Sequence, residues 1–537
     1  MRLKLMAAMA AVSMSAVSFA QAAPEFTAQG FRSHVAFLAD DLLEGRETGT
    51  RGYDIAARYV ATQFEGLGLK PAGADGWYQQ VPFVTYKLGE TPATVTIGGQ
   101  TFENGKHLSI GASAREPSQS LEAPVVFAGY GIDAPAQGFN DYAGLDVRGK
   151  VVALLSGFPK GTPSELAAHL NSQKTRMAQD RGAIGVVYLR TLADQKRRPW
   201  TEMAQSSREA SMTWVGTDGQ PFSSAPGIRA TLTLDTPAAE ALFAGARTPL
   251  AAVLAKADKD GAKPKGFALK RSIKVDRQSV VAKATSPNVV AILPGADPAL
   301  AGEYVLLMAH LDHEGVNPAR EGEDKIYNGA MDNATGISTM LEVARAMAET
   351  GKRPRRSILF AAVTAEEKGL LGSQYLAKHP VIGNGKLVGV VNLDMPVLLY
   401  DFTDVIAFGA EHSTLGPIVK RAGAQMNVAL AADPLPQENL FVRSDHYRFV
   451  QEGVPSVFLM TGFGNGGDEQ FTGFLSTNYH KVSDDLKQPI DWQAGAKFAR
   501  INYLIAREIV DADEAPRWYA KNFFGDTFAA GQPKAAR

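Results

Sequence analysis

Beyond Pro287 the chain alternates short apolar runs with stretches of helical period, and that grammar leaves few architectures open. Strands are predicted over 288–293, 304–309, 357–363, 387–393, 405–408 and 456–460. Helices are predicted over 334–349, 370–378, 415–426, 445–451 and 493–509. Such alternation builds an α/β domain around a mostly parallel central sheet flanked by helices. Sheets of this class bind ligands in the crevice beyond the carboxyl ends of their strands. The residues that follow each strand therefore decide what the domain can do.

Those positions are rich in donors. The run 304–309 is followed by His310-Leu311-Asp312-His313, and 357–363 by Thr364-Ala365-Glu366-Glu367. Asp394 follows 387–393, Asp332 precedes the helix at 334, and a long glycine-rich loop after 456–460 delivers Tyr479-His480. Each group alone has an ordinary reading: a structural histidine, a helix-capping aspartate, a solvated glutamate pair. Gathered at corresponding strand ends they are costly to bury unpaired, and mixed nitrogen and oxygen donors suit a divalent ion such as zinc. With Cys 0, the chain has no thiolate ligand, disulfide or cysteine nucleophile to offer. His310 and Asp394 would hold one zinc, Glu367 and His480 a second, and Asp332 would bridge the two, leaving a place for a shared water. Glu366 stands beside a ligand yet is spare, which makes it the candidate general base. Asp312 is the candidate partner of the other ring nitrogen of His310, and Tyr479 the candidate donor to an oxyanion.

Upstream, Phe31, Val35, Leu38 and Leu42 recur with helical period, a loop spans 44–52, and a second helix presents Ile55, Tyr59, Val60, Phe64 and Leu67. Strand texture begins at 81–86 and 93–97. Between 96 and 285 the chain reads as a separate unit, with buried strands at 124–132 and 151–155 and a helix at 165–181. Its stretch 255–270, rich in Lys, Asp and Gly, is expected to be exposed. No set of metal-binding or nucleophilic residues gathers in this unit.

Arg2 and Lys4 precede a short apolar run to Phe19 and an Ala20-Gln21-Ala22 cleavage pattern, the arrangement of a signal peptide over 1–22. The expectation is a periplasmic or secreted protein that is not an integral membrane protein after cleavage. At 537 residues the chain is long enough for two or three folded units. Its 55 Lys+Arg balance 56 Asp+Glu, which argues against a nucleic-acid partner. No pattern in the sequence sets an oligomeric state.

The strings AHLDHEG, NGAMDNATG, TAEEKGLLGS, NLDM and YHKVSDD, in this order, resemble those of the co-catalytic dizinc aminopeptidase family, the clan MH metallopeptidases of the bacterial secreted type. DDLLEGRETGTRGYDIAARYVATQFEGLGL is similar to that family's opening helices. FAGYGI and GLDVRGKVV resemble the protease-associated (PA) domain often inserted in it. The resemblance implies a zinc-exopeptidase sheet carrying an inserted β-rich α+β PA-like domain. It divides the chain into a signal peptide at 1–22, a first peptidase segment at 23–95, the insert at 96–285, the catalytic dizinc domain at 286–520 and a tail at 521–537. It also assigns the zinc ligands His310, Asp332, Glu367, Asp394 and His480, with Glu366 as base, and makes Asp332-Asn333 a candidate cis peptide. Met331 departs from the family pattern and is expected to alter the outer wall of the site. Asp445 and His446 are candidates for the pocket wall or for the layer behind the ligands, Arg46 and Arg51 for the pocket's rim, and 463–474 for a specificity loop.

The expected function is hydrolysis of N-terminal residues from peptides, with Glu366 handling the proton of a water activated by two Zn2+. A carboxypeptidase or dipeptidase, a one-zinc glutaminyl cyclase, and a non-catalytic receptor-like homologue are the alternatives.

Overall fold

A computed structural model describes residues 24–206 and 210–537. The expected signal segment, 1–22, lies outside the described residues. Among the described residues no helix is long and apolar enough to cross a membrane.

The chain opens with helices α1 (Ala28–Leu38) and α2 (Arg51–Gly66), then strand β1 (Tyr78–Leu88). The hydroxyl of Thr50 accepts from the Tyr53 amide and starts α2, whose face Tyr53, Ala57, Val60 and Phe64 is buried. Strands β2 (Ser118–Phe127), β3 (Val151–Leu155), β4 (Gly185–Leu189) and β5 (Ala230–Leu234) follow, with α3 (Ser164–Asp180) crossing from β3 to β4. Consecutive pairs in this series are parallel. They enclose a core of their own, including Val95, Phe102, Leu121, Val151, Leu232 and Val275.

The next strand, β6 (Phe267–Leu293), is 27 residues long. Its first part pairs with β2, its middle with β1, and its end with a strand of the second sheet. The sequence predicts only 288–293 because the preceding residues alternate polar and apolar and lack an apolar run. Phe267 and Leu269 are buried, so the exposed stretch expected over 255–270 ends earlier, where this strand begins.

Beyond it lie β7 (Glu303–His310), α4 (Thr335–Glu349), β8 (Ser357–Val363), α5 (Leu371–Lys378), β9 (Lys386–Leu393), β10 (Asp404–Phe408), β11 (Ser456–Thr461), α6 (Gly467–Thr477) and α7 (Trp492–Asp511). β7 runs parallel to both β8 and β9, and β9 parallel to β11, while β6 and β10 join antiparallel. β8 is buried at every residue, as a central strand covered on both faces requires. The fold is thus α/β with a large, mostly parallel central sheet flanked by helices, as expected. Residues 467–477 form a helix where a glycine-rich loop is expected. Glycines punctuate its start, and the buried Phe471 and Phe474 lie on its inner side.

The unit at the middle of the chain docks through one face of α3. Glu165 Oε2 lies 3.0 Å from His412 Nε2, and His169 Nδ1 lies 2.5 Å from the Tyr447 hydroxyl. The Asn522 amide donates to His412 Nδ1, and its oxygen is taken by the Gly525 amide. The His412 Nε2 therefore carries the hydrogen and gives it to Glu165, and the group Glu165, Glu411 and His412 is a latch rather than a metal site.

Candidate metal centre

Strand register assembles the site. His310 pairs with Val363 across β7 and β8, and Met308 with Asn392 across β7 and β9. His310, the Thr364–Glu367 turn and Asp394 therefore leave the sheet at one level. Left-handed residues steer the turns: Ala365 before Glu366, Met395 after Asp394, and His480 itself, at φ of 55°, 44° and 54°. Such conformations in residues other than glycine cluster where surrounding contacts over-determine the backbone.

Asp332 sits at the centre. Its Oδ1 lies 3.2 Å from His310 Nε2 and its Oδ2 lies 3.2 Å from His480 Nε2. Outside this pair, Asp394 Oδ1 is 3.2 Å from His310 Nε2 and Glu367 Oε2 is 3.3 Å from His480 Nε2. His310 and Asp332 are buried, Glu367 and Asp394 are half-buried, and the His480 side chain keeps 35% of its surface, which opens the site to solvent on that side.

The ring tautomer tests whether cations fit here. His310 Nδ1 meets the main-chain carbonyl of Asp312 at 3.2 Å, an acceptor only, so Nδ1 carries the hydrogen. Nε2 is left facing two carboxylate oxygens, a position that calls for positive charge, either a proton on the ring or a cation among the donors. A tetrahedral ion with bonds of about 2.0–2.1 Å spaces its donors roughly 3.3–3.4 Å apart. The observed 3.2–3.3 Å matches that edge. The donors therefore fit two zinc ions sharing Asp332.

The electrostatics agree. Burial alone would lower His310, but Asp394, Glu366 and Asp332 outweigh it and hold the ring well above its ordinary pKa. His480 is likewise raised to about 9 by Asp332, Glu367 and Glu314 against the effect of burial. Burial pushes Glu366 well above the carboxylate range, His310 opposes it, and Glu367, Asp445 and Asp394 add to it. Burial likewise pushes Glu367 well above that range, while His310 and His480 outweigh burial at Asp332 and hold it well below.

Around the ligands lies a layer that the sequence reading largely missed. Ser444 donates to Asp394 Oδ2 at 2.6 Å and is held by the Asn392 amide. His313 Nδ1 lies 2.8 Å from Glu367 Oε1. Asp484 accepts the amides of Met331 and Asp332. Asn333 accepts from the amides of Gly336 and Met395 and donates to Leu393, tying the bridging loop to the Asp394 loop. The Asp332–Asn333 peptide is cis, as the resemblance implies. Gly329, at φ 58°, has no room for a side chain, because a Cβ there would meet the Asp332 carbonyl at 2.2 Å.

Several expectations are corrected. Asp312 does meet the other ring nitrogen of His310, but through its main-chain carbonyl and not its carboxylate. That carboxylate accepts the amides of Glu366 and Glu367 and the Thr48 hydroxyl, because the tight turn aims those donors at it. Arg46 is not at the rim: it is 1% exposed with its donors on main-chain carbonyls, while Arg51 is exposed. Met331 lies in the core with its sulfur accepting the Leu398 amide, not in the outer wall. Asp445 and His446 are wholly buried behind the site and line no part of it, and burial pushes His446 down to about 3.

A cavity of about 220 Å³ opens onto the centre. His310, Asp332, Glu366, Asp394 and His480 form one side, with Leu440, Phe458, Met460, Phe471 and Leu475 opposite. Tyr479 also lines it, its ring centroid 3.9 Å from that of His480 and tilted 34° to it. Glu366 faces this space and Glu367 does not.

This donor set, gathered at the carboxyl edge of an α/β sheet, suits a metal-binding site. Residues 288–506 match the model of Peptidase family M28. A probable zinc metalloprotease of Pyrenophora teres f. teres is 36% identical over 121 residues, 22% of this chain and 24% of that protein. Leupeptin-inactivating enzyme 1 of Streptomyces exfoliatus is 28% identical over 188 residues, 33% of this chain and 36% of that protein. The chain thus spans only a quarter to about a third of these relatives' lengths. Among solved structures, an aminopeptidase from Aneurinibacillus sp. strain AM-1 shares the fold, with a TM-score of 0.51 and 20% identity over 91% of this chain and 96% of that one.

Proposed function

We propose that this protein is a zinc metallopeptidase that removes N-terminal residues from peptides, using two zinc ions per chain. The observation that carries the reading is Asp332, whose two oxygens each lie 3.2 Å from a different histidine. His310, Asp332 and Asp394 would hold one ion, and Asp332, Glu367 and His480 the other. Bound zinc supplies Lewis acidity, polarising a carbonyl and acidifying water. Glu366, facing the cavity beside Asp394 and His310, takes the proton of the attacking water and passes it to the leaving amine. The Tyr479 hydroxyl donates to the developing oxyanion. The apolar wall of Leu440, Phe458, Met460, Phe471 and Leu475 receives the side chain of the residue removed.

The same reading takes residues 96–285 as an inserted PA-like unit that supplies no chemistry, and 1–22 as an export signal placing the mature chain in the periplasm or outside the cell.

The test is an assay of the purified protein on aminoacyl fluorogenic substrates and on N-blocked peptides, with metal analysis and a chelator control. Two zinc per chain, cleavage of free N-termini only, and loss on chelation are expected. Glu366→Gln should lower kcat by about 10²–10⁴-fold with zinc retained. Cleavage of N-blocked peptides alone would replace this reading with a carboxypeptidase. A single firmly bound zinc with cyclisation of N-terminal glutamine would replace it with a cyclase.

A further inference from the structure

Three consecutive residues far upstream of the metal ligands touch every loop that carries one of the ligands on β7, β8 and the bridging turn. Glu44, Gly45 and Arg46 all adopt left-handed backbone, at φ of 50°, 66° and 52°, and turn the chain inward. Gly45 permits this approach, since a Cβ there would lie 2.4 Å from the Tyr327 carbonyl and 2.5 Å from that of Gly315. The next residue then enters the protein interior.

Arg46 spreads its guanidinium over carbonyls from three segments. Nε donates to Leu311 at 2.9 Å, Nη2 to Gly329 at 3.1 Å, and Nη1 to Asn328 at 2.6 Å and to Leu38. Leu311 follows His310, and Gly329 begins the turn to Asp332. The backbone returns the grip, because the His313 amide donates to the Arg46 carbonyl at 3.3 Å. Glu47 Oε1 lies 3.1 Å from Lys368, the neighbour of Glu367. Thr48 donates to Asp312 Oδ2 at 3.1 Å, and the Asp312 carboxylate in turn accepts the amides of Glu366 and Glu367 at 3.1 and 3.3 Å.

A buried cation is a poor choice for stability alone, because an apolar side chain of similar volume would avoid its desolvation cost. What arginine offers is a planar fork of five donors in fixed directions, which lysine's compact ammonium cannot reproduce. The charge also faces an acidic surplus. Burial draws Arg46 down to about 10, and Asp484, Asp312, Asp332 and Glu367 push it back up.

We propose that Arg46–Thr48 is a clamp that sets the spacing of the ligand loops, so that metal affinity, and not fold stability alone, depends on Arg46 and Thr48 as positioning residues. The clamp lies 265 residues before Leu311 and outside the stretch that matches the peptidase family. The inference rests on the two-zinc reading above.

The experiment strips metal from the full chain, Arg46→Lys and Thr48→Val. It titrates zinc against a competing chelator, records the visible spectrum with cobalt(II), and measures the metal-free Tm of each. The wild-type chain should take up two zinc. Loss of such supporting contacts weakens metal binding by about 10–100-fold, expected for Arg46→Lys, with a smaller loss for Thr48→Val and an altered cobalt spectrum in both. Zinc affinity and cobalt spectrum identical to wild type in both variants, with only a lowered Tm, overturn the clamp and leave the two-zinc reading standing. Should Arg46→Lys not fold, Thr48→Val decides alone by the same two readouts. A wild-type chain that takes up no zinc overturns the two-zinc reading first, and the clamp with it.

Discussion

At the carboxyl ends of β7, β8 and β9, histidine and carboxylate atoms crowd together at 3.2–3.3 Å. At the carboxyl ends of β3 and β4, also parallel, the polar groups are already satisfied. Lys174 reaches across that edge from α3, donates to the Leu155 carbonyl at 3.1 Å and to that of Gly157, and lies over the rings of Tyr130 and Phe158. Asp194 there accepts from Ser156 and from Thr191. The two edges share a topology and differ in what charge remains. One carries its own ammonium group, and the other gathers carboxylates around its histidines and calls for added positive charge, as protons or as metal cations. Sheet architecture offers the crevice, and the residual charge decides whether it holds metal.

The sharpest way to break this contrast is Asp332→Asn, which removes the anion that both histidines share. Metal analysis should fall from two zinc to at most one, with peptide hydrolysis lost. A variant that still binds two zinc and turns over would show that the bridging carboxylate is not needed.

A milder change probes the surrounding layer. Ser444→Ala leaves every ligand in place but frees Asp394 Oδ2. Zinc affinity should weaken by about 10–100-fold, as measured by chelator competition. Unchanged affinity would mean that Asp394 is oriented by other contacts.

The smallest catalytic effect is expected at the satisfied edge. Lys174→Met should leave peptidase activity within about twofold, since the side chain is remote from the metal centre. Its signature is in stability against pH. Burial lowers Lys174 from its ordinary 10.5 to about 7, with Asp141 and Asp194 opposing. Between these values the unfolded chain binds the extra proton, so the stability of the wild type rises with pH across this window. The limiting slope for one group is about 1.4 kcal/mol per pH unit. Thermal melts at pH 7 and pH 9 should show this rise in the wild type and not in the variant. Parallel behaviour of the two proteins would mean that Lys174 titrates normally.

The ligands were readable because each closes an apolar run, and parallel strands bring the ends of such runs together. His310, Glu367 and Asp394 needed only that rule, while Asp332 and His480 needed the ordered strings around them. What stayed hidden depends on main-chain partners. Asp312 caps two amides and Arg46 binds carbonyls, and neither acceptor nor donor carries a side-chain signature. An arginine in a glycine-rich loop reads as solvated until tertiary contacts bury it. Ser444 stands just before Asp445 and His446, but its hydroxyl has meaning only once Asp394 is placed beside it. The length of β6 was missed for a different reason: a strand with one polar face lacks the apolar run that marks its end.

That strand imposes a rule of parity on the protein. Phe267–Leu293 belongs first to the middle unit and then to the peptidase sheet, with no loop between. Side chains alternate faces at every residue, so deleting one residue between 279 and 288 would turn over all that follow on one side of the cut, exposing what had been core. Deleting two would slide the faces without exchanging them. Length can vary in the loops that bound this strand, but within it only even changes keep both cores inside.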